Sequence, residues 1–99
     1  MNQVFIYDKE HFDAIYNGDK LYEAVPYKTN QSIEDQDVIV IQEEFTGYFF
    51  TAIVTRVQYY NDIDTVFSVH SSELLKERKE YEEYDDGYLV FKITRISDI

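Results

Sequence analysis

The sequence predicts an α+β domain: a small open β-barrel, mostly antiparallel or mixed, with one or two helices packed on its ends. Three observations predict it. Five segments rich in apolar, β-branched and aromatic residues read as strands. One segment, 8–18, carries a full set of helix signals. The connections are too short for a crossover helix between every pair of strands, so an all-parallel sheet is excluded. A chain of 99 residues buries one core, so a single domain over 1–99 is expected.

The elements follow in order. VFIY (4–7) is a short apolar strand. In DKEHFDAIYNG (8–18), Asp8 is a good N-cap, Tyr7 and Phe12 occupy the positions of a hydrophobic staple, and Phe12, Ile15 and Tyr16 share one face. Gly18 supplies the left-handed C-terminal cap. KLYEAV (20–25) reads as a strand ended by Pro26, and the polar 27–36 as a loop. DVIVIQEE (37–44) has the near-continuous apolar run of a strand covered on both faces, and FTG (45–47) is a turn. The longest strand spans 48–60, with Phe49, Ile53 and Val57 on one face and Phe50, Ala52 and Val54 on the other. In 61–86, Ser71 or Ser72 is expected to cap a helix reaching about residue 82, with Leu74, Leu75, Arg78 and Tyr81 along one side. GYLVFKITRI (87–96) closes the sheet, Leu89, Phe91 and Ile93 alternating with more polar neighbours.

Composition narrows the function. Twenty acidic residues against nine basic ones give a net charge of −11. Such a chain repels phosphate backbones at long range and associates quickly with basic surfaces; ordinary nucleic-acid binding needs a cationic footprint. Cysteine is absent, so disulfides and thiolate metal sites are excluded. The first residues include Asp8 and Glu10 and lack an apolar signal-peptide core, and no apolar run is long enough to cross a bilayer. A cytoplasmic protein without membrane contact is expected. His11 and His70 have no metal-ligand spacing, and His11 fits the first helical turn as a surface residue. Three glycines make no phosphate loop. No cofactor, metal site or catalytic set is expected.

The order of HFDAIYNGDKLYE (11–23), DVIVIQEEFTG (37–47) and DGYLVFKI (86–93) resembles the small ASCH-like domains of the PUA-related superfamily. It is most similar to the phage-associated DUF3850 group. Phe12, Ala14, Ile15 and Gly18 match the helix motif of that group. Lys20, Tyr22 and Glu23 match the next strand; Asp37, Glu44, Thr46 and Gly47 match the following strand and turn; Asp86, Gly87 and Tyr88 open the last strand. The resemblance covers most of 4–96, leaving 61–86 as a family-variable insert. It implies a PUA-like barrel and a cleft for RNA or a nucleoside near the helix and the Lys-x-x-Glu strand, making Lys20, Tyr22, Glu23 and Lys28 the candidate ligand-cleft residues. The basic stretch that the group carries after its Glu is replaced here by Ala24, Val25, Pro26 and Tyr27. Some ASCH domains hydrolyse acetylated cytidine with a Lys, a Thr and a Glu. Lys20 matches the lysine, but Glu23 stands in the threonine position, so the expectation is a non-enzymatic protein.

The run EYEEYDD (80–86) places five carboxylates within seven residues, interleaved with two tyrosines. Glu80, Tyr81, Glu82, Glu83, Tyr84, Asp85 and Asp86 are the candidate partner-binding residues. The leading expectation is a small acidic interaction protein that docks this run on a basic protein surface, with inhibition of a nucleic-acid-binding host protein by mimicry as its extension. The alternative is an ASCH-like binder of RNA or a modified nucleoside through a pocket near Lys20 and Tyr22. Nucleic acid is not expected on the acidic face, but a local cleft leaves room for it.

Overall fold

The computed structural model describes residues 3–97. Its elements are β1 (Gln3–Tyr7), α1 (Lys9–Asn17), β2 (Tyr22–Pro26), β3 (Val38–Glu43), β4 (Phe49–Tyr60), α2 (Ile63–His70), a 3₁₀ turn (Arg78–Glu80) and β5 (Tyr88–Ser97). One mixed sheet runs β1-β3-β4-β5-β2. β1 pairs with β3 in parallel, and the other neighbours are antiparallel. The sheet curls into a half-barrel whose outermost strands, β1 and β2, are joined through a side chain: the Tyr7 hydroxyl donates to Glu23 Oε2 at 2.8 Å.

α1 forms where local chemistry specifies it. Asp8 is extended, and its carboxylate accepts from the His11 N–H at 2.9 Å. Gly18 takes φ +77 and closes the helix. The helix lays Ile15 on the inner face of the sheet, among Tyr7, Ile39, Ile41, Phe50, Val54, Phe91 and Ile93. A second core lies across the sheet, where α2 packs Ile63 and Val66 against Tyr22, Ala24, Tyr88 and Val90. β5 is therefore buried on both faces from Tyr88 to Phe91. The expected alternation with polar neighbours fails there because α2 covers its second face.

Four further expectations are corrected. The insert helix is α2, not 71–82. Asp62 caps it by accepting from the Thr65 N–H at 2.8 Å. Residues 73–75 are instead held against the edge of β2. The Leu21 and Tyr22 amides donate to the Glu73 carbonyl at 3.1 and 2.9 Å, and the Leu75 amide donates to the Tyr22 carbonyl at 2.8 Å. This extended strap covers backbone groups that an edge strand otherwise leaves open. It also puts Leu74 in one core and Leu75 in the other. Second, β2 begins at Tyr22 rather than Lys20 and ends, as expected, at Pro26, which pairs with Tyr88; its missing N–H is tolerated on an outer strand. Third, β4 carries a bulge between Thr55 and Gln58 in its pairing with β5. Arg56 takes φ +56 there, which reverses the side-chain alternation. Val57 thus packs against the inner core, not beside Phe49 and Ile53. β3 departs from its reading as well: Val38 is exposed and Val40 half-exposed, so one face of this part of the sheet is uncovered.

Candidate functional site

The strap builds a cleft. Beyond Leu75 the chain leaves the sheet through Lys76, Glu77, Arg78 and Lys79. It then turns in a capping box in which Glu77 and Glu80 each accept from the other's end of the turn. This turn faces the first turn of α1, and the space between them is a cleft of about 550 Å³. Its walls include Glu10 and His11 from α1, Lys20 from the connection to β2, Phe67 from α2, and Lys76, Arg78 and Lys79. Four of the chain's nine Lys and Arg residues thus meet at one place. Three carboxylates, Glu10, Glu77 and Glu80, share the lining.

The four cations are held differently. Arg78 is a structural fork: its Nε lies 3.0 Å from Asp64 and its Nη2 2.8 Å from Glu83. Lys20 Nζ donates to the Ser72 carbonyl at 3.3 Å. Among the described residues Lys79 pairs with Glu77 alone, at 3.3 Å and in solvent, a contact of little strength in water. Lys76 Nζ lies over the Tyr81 ring, 5.9 Å from its centroid. His11 is drawn in rather than lying free on the surface. Its Nδ1 is 2.6 Å from Asp8 and its Nε2 3.7 Å from Glu80, with the ring 16% exposed.

Glu23 lies buried beside this cleft. Its Oε1 accepts from the Tyr81 hydroxyl and from the Ala24 amide, each at 2.9 Å, and its Oε2 accepts from Tyr7. Burial raises its pKa above the ordinary carboxylate value; the nearby Lys76 charge and the three donors act in the opposite direction. Burial and the Glu23 charge push both tyrosines upward, so their hydroxyls stay protonated and donating. β1, β2 and the residue that follows the 3₁₀ turn, Tyr81, thus meet at one carboxylate.

The four residues proposed for the ligand cleft are not gathered in one place. Lys20 lines it and Glu23 is sealed off by the two tyrosines. Tyr22 points into the α2 core and stacks on His70 with centroids 4.4 Å apart. Lys28 lies past the far end of β2, 4.0 Å from Asp86. His70 Nε2 meets the Tyr60 hydroxyl at 3.1 Å, while its buried Nδ1 has no hydrogen-bond partner. In the acidic run, Glu82, Glu83, Tyr84, Asp85 and Asp86 are exposed. Tyr81 turns inward to Glu23, and Glu80 closes the capping box. A shallow pocket of about 280 Å³ is walled by Asp62, Asp64, Glu83, Tyr84 and Asp85. Among the described residues, no three His, Asp or Glu side chains are gathered as a metal-ligand set.

Sequence reasoning missed Lys76, Arg78 and Lys79 as cleft residues. The signal was present: KERK (76–79) concentrates a third of all the cations in four positions. These residues supply positive charge that the strand after Glu23 lacks.

No family profile matches the sequence, and no curated protein matches it. Solved structures do. Hypothetical protein PH0355 superimposes with a TM-score of 0.71 at 17% identity, covering 97% of this chain and 100% of its own. Two variants of ZmASCH from Zymomonas mobilis superimpose with TM-scores of 0.73 and 0.67 at 19% and 16% identity. They cover 97% and 96% of this chain, and 73% and 67% of their own. The chain has the ASCH-like fold: a five-stranded mixed half-barrel with two helices.

Proposed function

We propose that this domain is a non-enzymatic binding module that holds a nucleotide or a short single-stranded RNA segment in the cleft between α1 and the strap. One observation carries the reading: a chain of net charge −11 gathers four of its nine cations around one cleft. Lys20, Lys76 and Lys79 are suited to phosphate oxygens, and Phe67 offers apolar surface to a base. The surrounding carboxylates disfavour long polyanions and favour a short ligand. A binding role is favoured over catalysis because Glu23 has all its nearby donors engaged and Lys20 is turned to a backbone carbonyl. The family reading as a DUF3850-like domain rests on motif order alone.

Fluorescence anisotropy with a labelled six- to eight-nucleotide RNA tests the proposal. Two to three phosphate contacts predict a loss of roughly 7- to 20-fold in affinity between about 50 and 200 mM salt. Lys76→Ala with Lys79→Ala removes binding; Lys79→Ala alone weakens it and leaves the melting temperature unchanged, because Lys79 is solvent-exposed and its pair with Glu77 contributes little. Absence of binding to RNA and to nucleotides at low salt overturns the reading.

A second reading is favoured by the exposure of Glu82, Glu83, Tyr84, Asp85 and Asp86 together: a phage-type factor docking this run on a basic protein surface, in the limit as a nucleic-acid mimic. Tyr84 would supply contact area and the carboxylates would steer the encounter. Capture of a basic partner that survives neutralisation of Glu82, Glu83, Asp85 and Asp86 refutes it.

A further inference from the structure

The outer face of β1, β3 and the first half of β4 carries side chains that none of the described residues covers. α2 shields the β5–β2 half of that face and stops there. On the uncovered half, pairing aligns Val4 with Val40 and Thr51, Ile6 with Gln42 and Phe49, and Val38 with Ile53. Val4 is 48% exposed, Ile6 63%, Val38 37% and Phe49 65%. Phe45 and Tyr48 stand at the adjoining hairpin tip, 85% and 72% exposed. No outward position on these three strand segments is charged; Lys92, cross-strand from Thr55, borders the patch. That is unusual on a chain with 29% charged residues.

We infer that this face is a homodimer interface, on which a second copy of the chain packs sheet against sheet. Two arguments select a second copy. A face without charge offers no ion pair to a basic or acidic partner, whereas it is complementary to itself under a two-fold axis. The area also suits a dimer. The four strand residues expose on the order of 400 Å², to which the half-exposed Val40, Gln42, Thr51 and Ile53 of the same face add, an area in the range of a weak dimer. The largest apolar patch of a small domain is often functional, and two faces of this size together bury about 1,000 Å², near the lower bound for a specific interface. Two such faces can stack at about 10 Å, as in a β-sandwich. None of these residues lines the cation-bearing cleft, so the inference stands apart from the proposed function.

Sedimentation velocity on the whole chain, without ligand, is the test. The expected species has twice the 11.9 kDa chain mass. Because each copy carries −11, added salt screens the repulsion, and the dimer tightens by about threefold or more between about 50 and 500 mM NaCl. Binding of RNA changes with salt in the opposite sense. Phe49→Lys and Ile6→Lys each weaken the dimer by about tenfold or more. Both sites are exposed, so melting of the monomer is unaffected. Lysine also lowers the net negative charge, so a loss reports the apolar contact itself. A single species of 11.9 kDa at both salt concentrations overturns the inference, as does a dimer that both variants leave intact.

Discussion

Tyr81→Phe probes the point where β1, β2 and the chain beyond the 3₁₀ turn converge. The substitution removes one of three donors to the Glu23 carboxylate, at 2.9 Å, and leaves the ring and its packing in place. Glu23 is 3% exposed, so water cannot replace the lost bond. A hydrogen bond to a buried charged group contributes about 1.5–3 kcal/mol. For a domain of this size each kcal/mol moves the midpoint by about 4–8 °C, so a drop of about 6–24 °C is expected. Tyr7→Phe removes the other hydroxyl, at 2.8 Å, and is expected to cost a similar amount. The double variant then tests whether the two act through one carboxylate, because residues sharing a partner are not additive. Tyr84→Phe is the control. It deletes the same atom where the hydroxyl meets Glu82 in solvent, and its melting curve should overlay the parent's. Thermal denaturation followed by circular dichroism at neutral pH measures all four. A Tyr81→Phe midpoint within about 1 °C of the parent refutes the role given to this cluster.

Two more predictions follow from the same geometry. Glu23→Gln should flatten part of the pH dependence of stability. The folded-state pKa of Glu23 is raised, mainly by burial, so its contribution is complete below the ordinary carboxylate value and fades as pH rises through the raised one. Asp8 has the opposite sign: the His11 backbone N–H lowers its pKa, so its contribution is present above the ordinary value and lost as pH falls through the lowered one. Melting temperatures between about pH 3 and 8 separate the two; an unchanged upper limb in Glu23→Gln contradicts the assignment. Gly87→Ala should destabilise the domain more than Gly18→Ala. At Gly87, φ is +88 and a Cβ would meet the Tyr59 hydroxyl at 2.5 Å and the Tyr60 carbonyl at 2.6 Å. At Gly18 the nearest atom is 4.0 Å away, so only the left-handed backbone penalty of about 1–2 kcal/mol applies. Equal urea midpoints for the two variants would show that the close approach at Gly87 is relieved without cost.

α1 was legible because its signals are local: Asp8, Gly18 and the spacing of Phe12 and Ile15 need no other part of the chain. α2 was not. Asp62, Ser71 and Ser72 are all competent N-caps, and Leu74 and Leu75 suit a helix as well as a strap. The choice is made by the edge of β2, which takes the strap's backbone hydrogen bonds. The β4 bulge was equally hidden, since Arg56 is not a residue that announces a positive φ. Its amide is instead held by Asp35, 21 residues away, at 2.9 Å. The cleft follows the same division. The resemblance pointed to Lys20 and Glu23, but Tyr7 and Tyr81, which seal Glu23, lie 16 and 58 residues from it. KERK was visible as a basic run; its meeting with Lys20 depends on the strap's pairing with Tyr22.

The central claim is that the cation-bearing cleft, not the acidic run, receives the ligand. An amide-resolved NMR titration of the whole chain with a short single-stranded RNA tests it most directly. The account predicts saturable shifts at Glu10, His11, Lys20 and 76–80, with 82–86 unmoved. Shifts confined to 82–86, or none anywhere at millimolar ligand, contradict it.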